Sequence, residues 1–283
     1  MSNFDKIVYD RIKTFFLSFY NNLNNSKAVV VGLTFDFNNN ENKLYTIDDN
    51  YKIIKDNIQN PLSGYSISNL IVYDNKVFEY NESFNLVIDE AFNNNNLYGI
   101  PLYIPDANKK INKALFLDRD GVLMEDVGYI GEVERVKIKK EFTDIVKYAN
   151  EKNYITIVTT NQAGVSYNYY TNDDVRNVHN YLHQEYKKHD AVIDDFYYCP
   201  YHIKGNVEEY KLLSVLRKPE AAMHLTACKK YNIDLTSSFM IGDRDSDIVK
   251  IPFLKTLLIK TDVYDIVNVN NIVEVNDIYS FLV

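Results

Sequence analysis

Four short stretches carry acidic, hydroxyl and cationic groups at places where they could work together. Asp118 and Asp120 stand two residues apart directly after the apolar run ALFL, with Gly121 behind them. Thr160, Asn161 and Gln162 follow ITIVT, the run from Asp243 to Asp247 follows SFMIG, and Arg217-Lys218-Pro219 precedes a segment of helical character. Two carboxylates so spaced at a strand end can divide labour, the first attacking phosphorus while the second handles protons. Charge repulsion makes a carboxylate a poor nucleophile toward a phosphate dianion, so such a site needs cations. Asp243 joined to Asp118 would offer the few carboxylates that Mg2+ takes beside waters and phosphate oxygens. Lys218 and the Thr160 hydroxyl would neutralise and orient the phosphoryl oxygens, which is most of the work in phosphoryl transfer. Taken singly, each stretch has a plainer reading as a turn, a solvated cation pair or ordinary helix capping. Their order, each at a strand end or helix start, makes the set specific.

Elements that could position these groups follow from the apolar pattern. From Asn112 onward the chain alternates strand and helix: ALFLD, then helical TDIVKYANEKN, the strand YITIVTT, a helix opened by Thr171 as N-cap with Asp174 in its first turn, the strand DDFYYC, a helix PEAAMHLTACKKYN with Pro219 in its first turn, and the strands SFMIGD and LKTLLIK. Such alternation predicts an α/β fold, a Rossmann-like parallel sheet with helices on both faces, which binds ligands beyond the carboxyl ends of its strands. The rhythm of the first half differs. Phe4, Ile7, Val8, Ile12, Phe15, Phe16 and Phe19 recur at helical spacing, Ala28 to Leu33 reads as a strand, and a short helix is expected around Tyr51 to Ile58. Asp74-Asn75-Lys76 between two β-rich runs suggests a hairpin, Phe84 to Phe92 fits strand or helix, and clusters such as Asn38 to Asn40 read as polar loops. PLYIPDANKKINK, with two prolines and three lysines, reads as a linker, dividing a separate N-terminal α/β or α+β accessory domain, 1–110, from a second domain, 111–283.

Composition bounds the function. The 283 residues are 46% hydrophobic and 25% charged, a globular composition, and a net charge of -8 disfavours a non-specific nucleic-acid binder. A small anionic substrate stays open, because a metal and a few local cations outweigh the global charge. Cys199 and Cys228 are too few for a disulfide framework and no run reaches the length of a membrane span, so a soluble cytoplasmic protein is expected.

FLDRDGVL, IVTTNQAGV, LRKP and MIGDRDSD resemble the four motifs of the haloacid dehalogenase superfamily, and within it the heptose bisphosphate phosphatases and related histidinol-phosphate phosphatases. The resemblance runs from about Lys113 to Thr261, also taking in DVGYIGEV, the loop YYCPYHIKGNVEEY and LLIKT. It implies a haloacid dehalogenase-like fold with a minimal cap and a Mg2+-dependent phosphatase acting on a small sugar phosphate through an aspartyl-phosphate. Asp118 would be the nucleophile and Asp120 the general acid and base. Asp118, Asp243 and the backbone carbonyl of Asp120 would hold Mg2+, Thr160 and Lys218 would contact phosphate, and Asn161 and Arg217 would contact the rest of the substrate.

The same resemblance implies a structural zinc in the loop before Arg217, through Cys-x-His-x12-Cys-x-Cys. Here the four positions hold Cys199, Tyr201, Ser214 and Leu216, and His202 lies one residue out of register. Structural zinc is therefore expected to be absent. Tyr167-Asn168 replaces an Arg-Gly, Ala221-Ala222 replaces a Pro-Gly, and IVKIPFLK is bulkier than the pattern after Asp247. These departures touch specificity and scaffold more than chemistry. The competing class is a non-catalytic sugar-phosphate scaffold, opposed by the presence of both Asp118 and Asp120. Histidinol phosphate and a nucleic-acid 3′-phosphate are alternative substrates. The N-terminal domain is expected to mediate a homodimer or to cover the active site.

Overall fold

The computed structural model describes residues 3–25, 27–35, 44–55, 60, 62, 64–74, 76–79, 84–260 and 272–282. Its second half is built on a parallel sheet of six strands: β7 (Lys113–Leu117), β8 (Tyr154–Asn161), β9 (Asp195–Cys199), β10 (Phe239–Gly242), β11 (Lys255–Ile259) and β12 (Ile272–Val273). Their order in space is β12-β11-β10-β7-β8-β9. β7 pairs with β8 on one side and β10 on the other, both parallel, so the strand order reverses direction at β7. That reversal opens the crevice in which such sheets bind ligands, and Asp118 is the first residue beyond it.

Alternation along β7 sends neighbouring side chains into different cores. Leu115 and Leu117 join the helices α3 (Lys140–Glu151) and α4 (Asn172–Lys187), through Phe142, Ile145, Val178 and Leu182. Ala114 and Phe116 face α5 (Ala222–Tyr231), packed through Met223, Leu225 and Ala227. Helices thus cover both faces. α4 opens as its sequence indicates, with a capping box in which Thr171 accepts from the Asp174 backbone and the Asp174 carboxylate accepts from that of Thr171. α5 starts later than expected: Pro219 lies outside it, because 217–221 are folded into turns and the Ala221 N–H donates to the Tyr65 hydroxyl at 2.7 Å.

The first half carries a mixed four-stranded sheet ordered β5-β4-β1-β6. β1 (Val29–Thr34) runs antiparallel to β4 (Ser66–Tyr73) and parallel to β6 (Leu97–Pro101), and β4 turns through Asp74 into β5 (Lys76–Glu79). The hairpin is present, with Asn75 outside the described residues. α1 (Asn3–Asn22) buries Ile12, Phe16 and Tyr20, each one turn from the next, against Val30, Leu70, Val72 and Ile100. Phe84 to Phe92 is largely α2 (Asn85–Asn93). The helix expected at Tyr51 to Ile58 is not formed over its first part. There β3 (Ile53–Lys55) pairs antiparallel with β2 (Thr46–Ile47) and sends Ile53 into the core, a burial that a free amphipathic turn would not gain, while 56–58 lie outside the described residues. The loop at Asn38 to Asn40 also lies outside them.

The two sheets share a core. Val29, Val31, Leu33, Tyr65 and Ile71 of the first half form one continuous set of buried side chains with Phe116, Val215, Leu216 and Met223 of the second. Among the described residues, no helix is long and apolar enough to cross a membrane.

Candidate active site

Asp118 continues β7, its N–H donating to the Ile241 carbonyl at 2.9 Å, and its buried carboxylate receives Lys218 Nζ at 2.8 Å. The same ammonium donates to Asp247 at 2.6 Å. The other oxygen of Asp247 accepts from the backbone N–H groups of Asp243 and Arg244, both at 3.0 Å, which fixes the turn after β10. Asp118, Asp243 and Asp247 each place a carboxylate oxygen within 4.8 Å of the others. Close approach here depends on two glycines. A Cβ on Gly121, whose φ is +83°, would lie 2.0 Å from an Asp243 oxygen, and one on Gly242 would lie 2.2 Å from Asp247.

With one ammonium beside three carboxyl groups, ionising all three would leave two negative charges buried. Burial pushes the Asp118 carboxyl up to about 6, with Lys218 opposing and Asp247 and Asp120 adding to the rise. Asp243 is pushed up to about 8 by burial and by the charges of Asp118 and Asp247. Lys218, which burial alone would pull down, is held above its ordinary value by Asp118 and Asp247. Asp243 is fully buried, and neither of its oxygens accepts a hydrogen bond. Orphaned carboxylate oxygens beside excess negative charge fit a hard divalent cation with oxygen ligands.

Asp120 also lines the cleft. Arg119, itself fully buried, grips it through Nε and Nη2, the latter at 3.0 Å, and Gln162 Nε2 donates to it at 2.8 Å. Gln162 also donates to Thr160 Oγ1 at 2.9 Å and accepts from the Tyr170 hydroxyl at 2.7 Å. Burial raises that Tyr170 hydroxyl to about 12, so it remains a donor.

One cleft is lined by Asp118, Asp120, Asn161, Arg217 and Lys218 together with Tyr129. Thr160 and Asp243 lie just beneath, 1% and 0% exposed. Asn161 is on the wall, but its amide is engaged at both ends by the backbone of Lys218, donating to the carbonyl at 3.0 Å and accepting from the N–H at 2.9 Å. Arg217 brings a buried Nη1 that has no hydrogen-bond partner. At the rim, Tyr129 meets Tyr169 and Tyr167 edge-on, with ring centroids 4.8 and 5.9 Å away. Sequence reasoning assigned no role to Arg119, Gln162, Asp247 and Tyr170. Arg119, Gln162 and Asp247 sit inside the motifs, whereas Tyr170 has no local signal.

The zinc positions are occupied by other interactions. Cys199 is buried, its thiol pushed up to about 11 by burial and donating to the Tyr201 carbonyl across 3.7 Å. Ser214 Oγ donates to the Leu62 carbonyl at 3.0 Å, Leu216 is buried in the shared core, and His202 Nδ1 pairs with the Tyr167 hydroxyl at 3.0 Å. One protonated thiol is not a tetrahedral donor set, so these residues do not fit zinc.

The HAD-hydrolase-like family profile matches residues 215–251, the span that holds Lys218, Asp243 and Asp247. D-glycero-alpha-D-manno-heptose-1,7-bisphosphate 7-phosphatase of Burkholderia mallei is 38% identical over 137 residues, 48% of this chain and 72% of that protein. The D-glycero-beta-D-manno-heptose-1,7-bisphosphate 7-phosphatase of Haemophilus influenzae is 36% identical over 138 residues, 49% of this chain and 74% of the relative. In structure, a HAD-like phosphatase from Mesorhizobium loti matches with a TM-score of 0.54 at 21% identity, covering 62% of this chain and 87% of the other. The parallel sheet, the acids at its switch point and relatives this similar place the chain in the haloacid dehalogenase-like phosphatases, a family of phosphoric monoester hydrolases.

Proposed function

We propose that the chain hydrolyses a small sugar phosphate of the heptose bisphosphate kind, with Mg2+, through a phosphorylated Asp118. The observation that carries this is the orphaned, buried Asp243 carboxylate beside the Asp118–Lys218 ion pair, with Asp120 held by its own partners, Arg119 and Gln162. In the first step an oxygen of Asp118 bonds to phosphorus as the bond to the leaving oxygen breaks, and the carboxylic acid of Asp120 gives that oxygen its proton. In the second, Asp120 takes a proton from water, whose oxygen bonds to the same phosphorus as the bond from phosphorus to Asp118 breaks, releasing inorganic phosphate and restoring the Asp118 carboxylate and the Asp120 acid. Arg119 and Gln162 orient Asp120 for both transfers, and Lys218 faces the phosphoryl charge. Asp118, Asp243 and the Asp120 carbonyl would hold the cation, which when bound offsets the buried charge and polarises a phosphoryl oxygen. Asn161 works by fixing the Lys218 backbone, and Arg217 offers its unpartnered nitrogen to a distal part of the substrate.

The names of the relatives support a sugar bisphosphate. Two free buried thiols support a reducing, cytoplasmic setting. The test is phosphate release from a panel of sugar phosphates with Mg2+, for the parent chain and for Asp118→Asn. Turnover by the parent that vanishes in the variant is the expected result, and full activity of Asp118→Asn would sink the reading.

A further inference from the structure

The loop that carries Arg217 and Lys218 is tied to the first half of the chain. The Leu62 carbonyl accepts from the Val215 N–H at 2.8 Å and from Ser214 Oγ at 3.0 Å. Tyr65, fully buried, donates its hydroxyl to Glu220 at 2.9 Å and accepts from the Ala221 N–H at 2.7 Å. Glu220 also holds Lys250 at 2.7 Å, Lys250 reaches Asp49 at 3.1 Å, and its N–H donates to the Pro219 carbonyl at 2.7 Å. Lys218 therefore lies between two braced points, Ser214-Val215 on one side and Glu220-Ala221 on the other. Ser214 is also one of the positions where the family resemblance leads one to expect a zinc thiolate, and its side chain is turned to Leu62 instead.

We propose that the first half of the chain braces the Lys218 loop through Leu62 and Tyr65, in place of a metal cross-link, and that Tyr65 is a positioning residue for catalysis. Its part in catalysis rests on the phosphatase reading of Asp118 and Lys218. A buried hydroxyl with two partners is costly to remove, because it strands both a carboxylate and an N–H. Loosening the loop moves Lys218 relative to Asp118 without touching the substrate, so the loss falls on kcat more than on KM.

The experiment compares the full chain with Tyr65→Phe, Ser214→Ala and a control, Ile12→Val, which trims the α1 core of the same half. Amide exchange at Val215 and Ala221 is followed together with hydrolysis of para-nitrophenyl phosphate in Mg2+. In Tyr65→Phe the Ala221 amide is expected to lose protection, and kcat to fall about 10-fold with KM within about 2-fold. Ser214→Ala follows in the same direction by a smaller factor and decides the matter if Tyr65→Phe does not fold. Ile12→Val keeps its kcat well below its Tm. Unchanged exchange at Ala221, a loosened loop with parental kcat, or an equal loss in Ile12→Val would each overturn the proposal. A parent chain that turns over no phosphate ester counts against the phosphatase reading instead, and a loosened loop in Tyr65→Phe then still upholds the brace.

Discussion

Asp243, just beneath the cleft, has neither carboxylate oxygen hydrogen-bonded. Its neighbour Arg244 lies 3.8 Å away and is also paired with Asp126, so it offsets the burial of Asp243 only in part. Mg2+ added to the chain should raise Tm, by more at pH 8 than at pH 6, because Asp118 near 6 and Asp243 near 8 must lose protons before they bind. Asp243→Asn should abolish that shift in a thermal melt, and a shift of parental size would exclude Asp243 as a ligand. Asp120→Asn should retain the Mg2+ shift and slow turnover by about 10²–10⁴-fold, the usual worth of a positioned proton donor. Asp118, Asp120 and Asp243 were legible because they follow strand-like runs. Asp247 was not, since an aspartate that orders the first turn of a helix and one that holds a buried lysine look identical in a string of letters.

The loop from Cys199 to Ala221 acts as a single element that delivers two cations, and these should be separable. Arg217→Ala should raise KM for the sugar phosphate far more than for para-nitrophenyl phosphate, because the small ester lacks a distal group to miss. Lys218→Ala should lower kcat for both. Equal effects of Arg217→Ala on every ester would show that Arg217 does not read the distal part. Gly121→Ala offers a separate check: its Cβ would meet the Asp243 carboxylate in a left-handed backbone, so the Mg2+-dependent Tm shift should shrink. The alternation of β7 through β11 was readable because parallel strands buried on both faces are near-continuous apolar runs. β3 was misread as helix and β2 was given no reading, because two short strands are defined by each other and not by a local period. Leu62 and Tyr65 had no signature, since their partners lie 152 to 156 residues away.

At the scale of the molecule, two histidines are buried without charge. Burial holds His224 down to about 3, and His179 well below its ordinary value for the same reason. Between about pH 6.5 and pH 3 the unfolded chain binds a proton at His224 that the folded chain refuses, so stability falls as pH falls, by up to about 1.4 kcal/mol per pH unit. The raised carboxyls of Asp118 and Asp243 act with the opposite sign, because the folded chain holds their protons more tightly than the unfolded one. The comparison is therefore the parent against His224→Gln by urea unfolding at pH 6.5 and 4.5, where the variant should show the flatter acid slope. An unchanged slope would mean that His224 is charged in the fold. The shared core carries a further expectation: a chain begun at Ile111 loses Tyr65, Leu33 and Val31 from against α5 and should bind a hydrophobic dye and aggregate.

The brace also has a consequence in time. Tyr65 is 155 residues ahead of Glu220, and a ribosome adding about 5–20 residues each second needs about 8–30 s to cover that interval. Throughout that interval the Tyr65 hydroxyl and Leu62 carbonyl lack these partners, and the first sheet waits without Val215, Leu216 and Met223 against its apolar face. Lys218 is synthesised within the same few residues, Val215 to Met223, that pack against that face, so the loop and its brace come together in one late event.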